Sequence, residues 1–256
     1  MIELAPGQAT SAVRALCPMS GYAWRRCVAV LDGSAGGRIL TDDPAAPRWV
    51  GVQEFSDASV LFLAGSLDRD LVAGVIGRLR RERVVSVGLA PESSLQALLP
   101  HDFGEEGADI ELEDRDPGVD LARLVVTPAG LRLVPIEQDL VPRCMWGPWM
   151  VASLETAVDY GLGYCLLEGD QVVAEAFAGP AVGGVLEMAV ITREGYQRRG
   201  LATVVCARTI LECERRRNRT WWNTGAANAG SLGLARKLGY RTERRFSVLV
   251  WRRRSA

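Results

Sequence analysis

Histidine and lysine are nearly missing from this sequence: His101 is the only histidine and Lys237 the only lysine among 256 residues. With one histidine, and no C-x-x-C pair among the six cysteines, a conventional Cys/His metal centre has too few ligands. Cys17, Cys27, Cys144, Cys165, Cys206 and Cys213 therefore read as packed free thiols. Cys206 and Cys213 lie two turns apart on one face of an expected helix. No apolar run reaches the roughly 18 residues that a membrane helix needs. Met1-Ile2-Glu3-Leu4-Ala5-Pro6 lacks the basic region and apolar stretch of a secretory signal. The expectation is a soluble cytoplasmic protein that does not engage a membrane.

The charge that is present is unevenly spread. Apart from Lys237 every basic residue is arginine, a bias that a GC-rich genome produces without a chemical cause. The net charge of −1 argues against general nucleic-acid binding. Residues 1–130 hold 12 basic and 19 acidic side chains, net −7, and residues 131–256 hold 18 and 12, net +6. A basic second half suits an anionic cofactor.

The length fits two domains of about 120 residues each. The Pro128-Ala129-Gly130 turn divides them into 1–130 and 131–256. In the first, residues 1–30 suggest a helical start, 49–52 and 59–63 read as strands, 67–83 as an amphipathic helix, 84–87 as a strand and 93–99 as a short helix. Residues 104–120 are acidic and read as a solvated loop flanking one strand, or as a lure for a cationic amine. The second half alternates more regularly. Strands are expected at 131–136, 163–168, 172–178, 184–191, 220–224 and 241–251, and helices at 200–217 and 229–238. Gly169-Asp170 is a hairpin-sized turn. The fold class is α/β, a mixed sheet flanked by helices preceded by a smaller α/β domain, with no internal repeat apparent.

One segment carries chemistry. The apolar strand Glu187-Met188-Ala189-Val190-Ile191 runs into a polar loop and then a helix opening at Gly200. A helix start presents unpaired N–H groups and the positive end of a dipole, which together bind anions. Gly200 lets the backbone approach a phosphate, Ala202 keeps the next N–H accessible, and Arg198 and Arg199 add charge. Physics alone gives an anion-binding loop. The string Gln197-Arg198-Arg199-Gly200-Leu201-Ala202 further resembles the Q/R-x-x-G-x-G/A signature of the GNAT acetyltransferase superfamily. A second string, Asn228-Ala229-Gly230-Ser231-Leu232-Gly233-Leu234-Ala235-Arg236-Lys237-Leu238-Gly239-Tyr240, is similar to that family's later N-x-x-A/S-x-x-L-x-x-K-L-G-F/Y element. Asn228 there can cap a helix that Gly239 ends.

The resemblance covers residues 131–251. Residues 37–44 and 62–65 are similar to the front half of a bacterial two-part GNAT group that includes zwittermicin-resistance-type enzymes. It implies an N-acyltransferase that uses acetyl-CoA or another acyl-CoA and no metal. The cofactor would be held by Met188, Ala189, Val190, Gln197, Arg198, Arg199, Gly200, Leu201, Ala202, Asn228 and Ser231. The Val190 amide would polarise the thioester carbonyl. Glu187, on the strand beside the expected thioester, is the candidate base, directly or through water. The sequence departs from the family at Ala235, where a tyrosine commonly protonates the departing thiolate; Tyr196, Tyr160, Tyr164 or a water is the substitute. Trp146, Trp149, Trp221 and Trp222 are candidates for a cleft or for the core, Tyr240 for the core, and Cys206 is poorly placed as a nucleophile. The expected acceptor is a small-molecule amine lying between the halves. Acyl transfer from an acyl carrier protein and a non-catalytic acyl-CoA sensor are the alternatives.

Overall fold

The computed structural model describes residues 1–17, 24–54, 59–79, 84–90, 98, 105–145 and 162–252. They fall into two compact units, residues 1–108 with 246–256, and residues 109–245. The compact units divide at 108/109, and residues from Phe246 on group with the first. The reason is a strand that sequence reading placed in the first half: its residues 109–112 pair with a strand of the second.

The first unit begins with β1 (Ile2–Leu4), α1 (Ser11–Leu16) and α2 (Trp24–Asp32). Sequence reading expected only helix there. Next come β2 (Gly37–Thr41), β3 (Trp49–Glu54), β4 (Ser59–Gly65), α3 (Arg69–Leu79) and β5 (Val84–Ala90). Strands β1 to β4 pair antiparallel in order, and β5 lies parallel to β4 after the α3 crossover. One sheet face carries Leu40, Trp49, Leu61 and Leu63 against Val72, Val75 and Ile76 of α3. The helix begins where Asp68 accepts from the Leu71 amide at 2.8 Å.

The second unit holds most of β6 (Glu105–Arg115), then β7 (Arg132–Pro135), β8 (Leu162–Glu168), β9 (Gln171–Val182) and β10 (Val185–Thr192). These are followed by α4 (Leu201–Arg215), β11 (Arg219–Gly225), α5 (Ala229–Lys237) and the start of β12 (Tyr240–Arg252). Strands β7 to β10 pair antiparallel in order. Strand β11 lies parallel to β10 and antiparallel to β6. The core is on the α4 side, where Ala174, Ala176 and Ala178 of β9 let Val205, Cys206, Ile210 and Cys213 of α4 approach closely. The other face packs Cys165, Leu167, Val172 and Phe177 on Ile136, Leu140, Val141 and Cys144. All six cysteines are buried and free. Burial pushes the Cys17 thiol up to about 11 and the Cys165 and Cys213 thiols up to about 12. Among the described residues no helix is long and apolar enough to cross a membrane.

Two expectations change. The acidic stretch is mainly a long strand, and three of its carboxylates meet the start of β12. Glu113 pairs with Arg244 at 2.6 Å, Asp116 with Arg241, and Thr242 donates to Asp114 at 3.1 Å. The sequence shows no repeat, yet both units contain two antiparallel strands leading into a β-α-β crossover: β2-β3-β4-α3-β5 and β8-β9-β10-α4-β11.

Near the end of α4, Glu212 pairs with Arg215 at 2.5 Å and with Arg216 at 3.1 Å. The Arg215 hydrogen bond, opposed by burial and helped by Arg216, holds its carboxyl at about 2. A carboxyl depressed in the folded chain stabilises the fold above its ordinary range, and that contribution is lost as pH falls towards about 2. Glu212→Gln is expected to melt ~2–4 °C lower than wild type at neutral pH, the shift for about 1 kcal/mol in a chain of this size. The gap should close as pH falls from 4.5 towards about 2. Melting curves across that range decide it: a gap independent of pH would remove the ion pairs as its cause.

Candidate active site

Strands β10 and β11 run side by side for only four residues, from Val185↔Arg219 to Met188↔Trp222. On its other edge β10 stays paired with β9 as far as Thr192↔Ala174. Strand β11 continues beside β6, from Trp222↔Leu112 to Gly225↔Asp109. From Ala189 onward, one edge of β10 therefore has no strand beside it among the described residues. The opening is a wedge with the Met188–Trp222 pair at its apex. A bulge lies next to it, where three steps along β9 (Ala181 to Ala178) oppose two along β10 (Leu186 to Met188). Bulges bend strands, and Pro180 within this one has no N–H for the ladder.

Alternation along β10 sorts its side chains. Leu186 and Met188 join the core under α4, and Val190 packs against that core. Glu187 and Ala189 stand on the opposite face. Glu187 is partly exposed there. That face holds two further carboxylates that sequence reading did not single out. Glu175 is fully buried, in register with Ile191, and accepts from the Met145 amide at 2.8 Å. Glu111 is buried and in register with Asn223. The signal was present: a lone glutamate inside the apolar strand Val172-Val173-Ala174-Glu175-Ala176-Phe177 demands a polar partner.

At the open end of the wedge, residues 193–200 curl into the start of α4. Arg193 anchors the loop to β9, its amide and its Nε donating to Val173 and Val172 carbonyls at 2.9 and 3.0 Å. The Tyr196 hydroxyl donates to Glu168 at 2.5 Å, which holds the phenol above its ordinary pKa, and the Arg199 guanidinium lies 5.1 Å from the centre of the same ring. The Gln197 amide donates to the Thr192 carbonyl at 3.3 Å. Arg198 and Gly200 both take left-handed backbone, with φ of 63° and 79°. For arginine that conformation costs about 1–2 kcal/mol, the kind of strain found at ligand clamps. Alternating handedness of this kind is the backbone pattern of an anion nest. No side chain caps the helix at Gly200, so the first N–H groups, those of Leu201 and Ala202, have no intrahelical acceptor. Gln197, Arg198, Arg199 and Gly200 are exposed, Ala202 is partly exposed, and Leu201 is buried in the core.

The second motif folds as the helix expected of it. Asn228 caps α5 by accepting from the Ser231 amide at 3.1 Å. The Ser231 hydroxyl accepts from Trp222 Nε1 at 2.9 Å, which ties α5 to the apex of the wedge. Gly239, with φ of 100°, ends the helix and its carbonyl accepts from the Asp116 amide. Trp221, Trp222 and Tyr240 are core residues, and the Tyr240 hydroxyl bonds that of Thr220 at 2.5 Å. Tyr164 bonds Arg208 at 3.0 Å. Cys206 is wholly buried and burial pushes its thiol far up, so it stays protonated. His101, Trp146, Trp149 and Tyr160 lie outside the described residues. Among the described residues no cluster of three His, Cys, Asp or Glu side chains could hold a metal ion.

The equivalent crossover of the first unit lacks both features. Strands β4 and β5 stay paired for six residues, Ser59↔Val85 to Ala64↔Ala90, so among the described residues no wedge forms between them. The loop into α3 is three residues long, and the Asp68 carboxylate occupies the helix start where an anion would bind.

The chain as a whole is similar to known proteins. The chain is 23% identical over 253 residues to YdfB of Bacillus subtilis (strain 168), which bears the name of an uncharacterized N-acetyltransferase; the match spans 91% of this chain and 90% of that one. A GCN5-related N-acetyltransferase-like protein from Streptococcus suis 89/1591 superposes with a TM-score of 0.74 at 26% identity, over 92% of this chain and 95% of its own. A tandem GNAT protein from the clavulanic acid biosynthesis pathway shares the fold at a TM-score of 0.52 and 11% identity, over 86% and 83%. The sequence profile of GNAT acetyltransferases matches residues 23–249. That is most of the chain, so the strand that loses its neighbour, the uncapped helix start beside it and the motif behind it are those of a member of the GNAT acetyltransferase family.

Proposed function

We propose that this N-acetyltransferase moves an acetyl or related acyl group from acyl-CoA to an amine of a small molecule by direct transfer. The observation that carries the reading is the meeting of a wedge between β10 and β11 with an uncapped helix start flanked by Arg198 and Arg199. The CoA pyrophosphate takes the amides of residues 198–202. The pantetheine arm then lies along the vacated edge of β10, its amide groups pairing with backbone that has no strand neighbour, next to Met188, Ala189 and Val190. The Val190 amide hydrogen-bonds the thioester oxygen and stabilises the oxyanion that forms on attack. Asn228 and Ser231 border the arm from α5.

The amine approaches from the face that carries Glu187, which takes its proton, directly or through a water. Nitrogen attacks the carbonyl carbon, the tetrahedral intermediate collapses, and the carbon–sulfur bond breaks. No covalent enzyme intermediate forms, in keeping with a buried, protonated Cys206. The first unit, with its six-residue β4–β5 ladder and Asp68 at its helix start, is not expected to hold a second CoA.

Two measurements test this. Acetyl-CoA is expected to raise the melting temperature, because it binds only the folded chain. Gly200→Glu puts a carboxylate at the phosphate position and a side chain where φ is 79°, and should abolish the shift. An unchanged shift in folded Gly200→Glu would remove the loop from the site. Binding of a carrier-borne pantetheine without free acyl-CoA would favour a carrier donor. In the second, Glu187→Gln should keep CoA binding and lower turnover by roughly 10²-fold, the lower range for loss of a general base. Turnover is followed by release of free thiol over a panel of amines. Wild-type rates in Glu187→Gln would dismiss it as the base, and binding without turnover in the wild type would favour a sensor.

A further inference from the structure

Breaking a thioester puts a negative charge on sulfur, and the α5 side of the wedge holds one group suited to receive it. Ser231 lies in the first turn of α5 and is partly exposed. Its oxygen accepts from Trp222 Nε1 at 2.9 Å, and its backbone amide is spent on Asn228. The hydroxyl proton has no acceptor among the described residues. Trp222 is fixed on every side that matters: it is 1% exposed, pairs with Met188 at the apex of the wedge, and packs on Tyr240 at a ring distance of 5.8 Å. With Trp222 filling one lone pair of the serine oxygen, the remaining O–H is set by a rigid ring next to the place where β10 and β11 part. One turn further along the same face of α5, Ala235 is buried and offers no donor.

We propose that Ser231 donates a hydrogen bond to the sulfur of the departing CoA, with Trp222 as the residue that positions it. The inference rests on the acyl-CoA reading above. As the amine nitrogen bonds to the carbonyl carbon, the C=O pair moves to oxygen. On collapse that pair re-forms C=O, and the carbon–sulfur pair leaves with sulfur. The nitrogen proton goes to the base, and the thiolate is later protonated by water. Serine is a far weaker acid than a thiol, so it supplies a hydrogen bond and keeps its proton. Hydrogen bonds to a charged partner are the stronger kind, and here the charge exists only once the bond to carbon weakens.

The probe is free CoA bound to the full chain, its thiolate followed by ultraviolet absorbance as pH rises. A hydrogen bond to sulfur favours the thiolate, so CoA bound to the wild type should ionise more readily than CoA in solution. Ser231→Ala is expected to lower the ionisation constant of bound CoA by about tenfold or more, tenfold being the lower end for one hydrogen bond to a charged group. Ser231→Thr should keep most of it, and Trp222→Phe, which keeps a ring without an N–H, should lose part. Unchanged ionisation in Ser231→Ala with CoA bound would overturn the proposal and leave the acyl-CoA reading standing. Loss of CoA binding in Ser231→Ala alone would make the serine a binding residue and overturn it as well. A wild type that binds no CoA would overturn both.

Discussion

The second unit depends on what happens to β10 after Met188. A strand in a sheet has two ladders, and at Met188 one of them stops while the other continues for four more residues. Backbone groups left without a partner need one, from water or from a ligand. A linear ligand bearing amide groups can lie there as a strand would. Everything nearby keeps the edge open. Strand β9 holds β10 from the other side, the alanines of β9 let α4 pack on the sheet, and β11 is paired with β6 over residues 222–225.

The first unit shows the same crossover without that interruption, and the contrast isolates the cause. β4 and β5 pair over six of their seven residues, and only three residues separate β4 from α3. Asp68 then does for α3 what an anion would do, satisfying the Leu71 amide and complementing the dipole. In the second unit Gly200 offers no side chain, so the same electrostatic demand remains unmet. Topology is thus shared between the units, while capacity for an anion turns on one ladder length and one capping residue.

The local structure of the candidate site was legible in the sequence, because local chemistry set it. Residues 197–202 and 228–240 combine glycines, a cap and a fixed order of polar and apolar positions, and each occupies the loop or helix expected of it. What was hidden is non-local. No local property of residues 109–112 says that they pair with β11, a pairing that groups them with the second compact unit. The acidic run looked solvated because its partners, Arg241 and Arg244, lie over 120 residues away in sequence. The repeat of β-α-β topology escaped notice since packing tolerates different apolar residues in the same pattern. The Trp222–Ser231 bond, too, joins residues whose separate readings, core tryptophan and helix-start serine, gave no hint of a link.

Charge placement completes the account. The opposing charges of the two sequence halves suggest attraction between two bodies, yet part of each meets within one unit, where β6 carboxylates pair with β12 arginines. Glu212 likewise neutralises arginines at the far end of α4. Around the start of α4 the pattern reverses. Arg199 is stacked on a tyrosine, and Arg198 is exposed on strained backbone. Cations held by a ring face or a backbone turn keep their field for a visitor, whereas cations paired with carboxylates do not. Positive potential therefore gathers at a helix start whose first N–H groups are also unspent, and the two effects would act on the same anion.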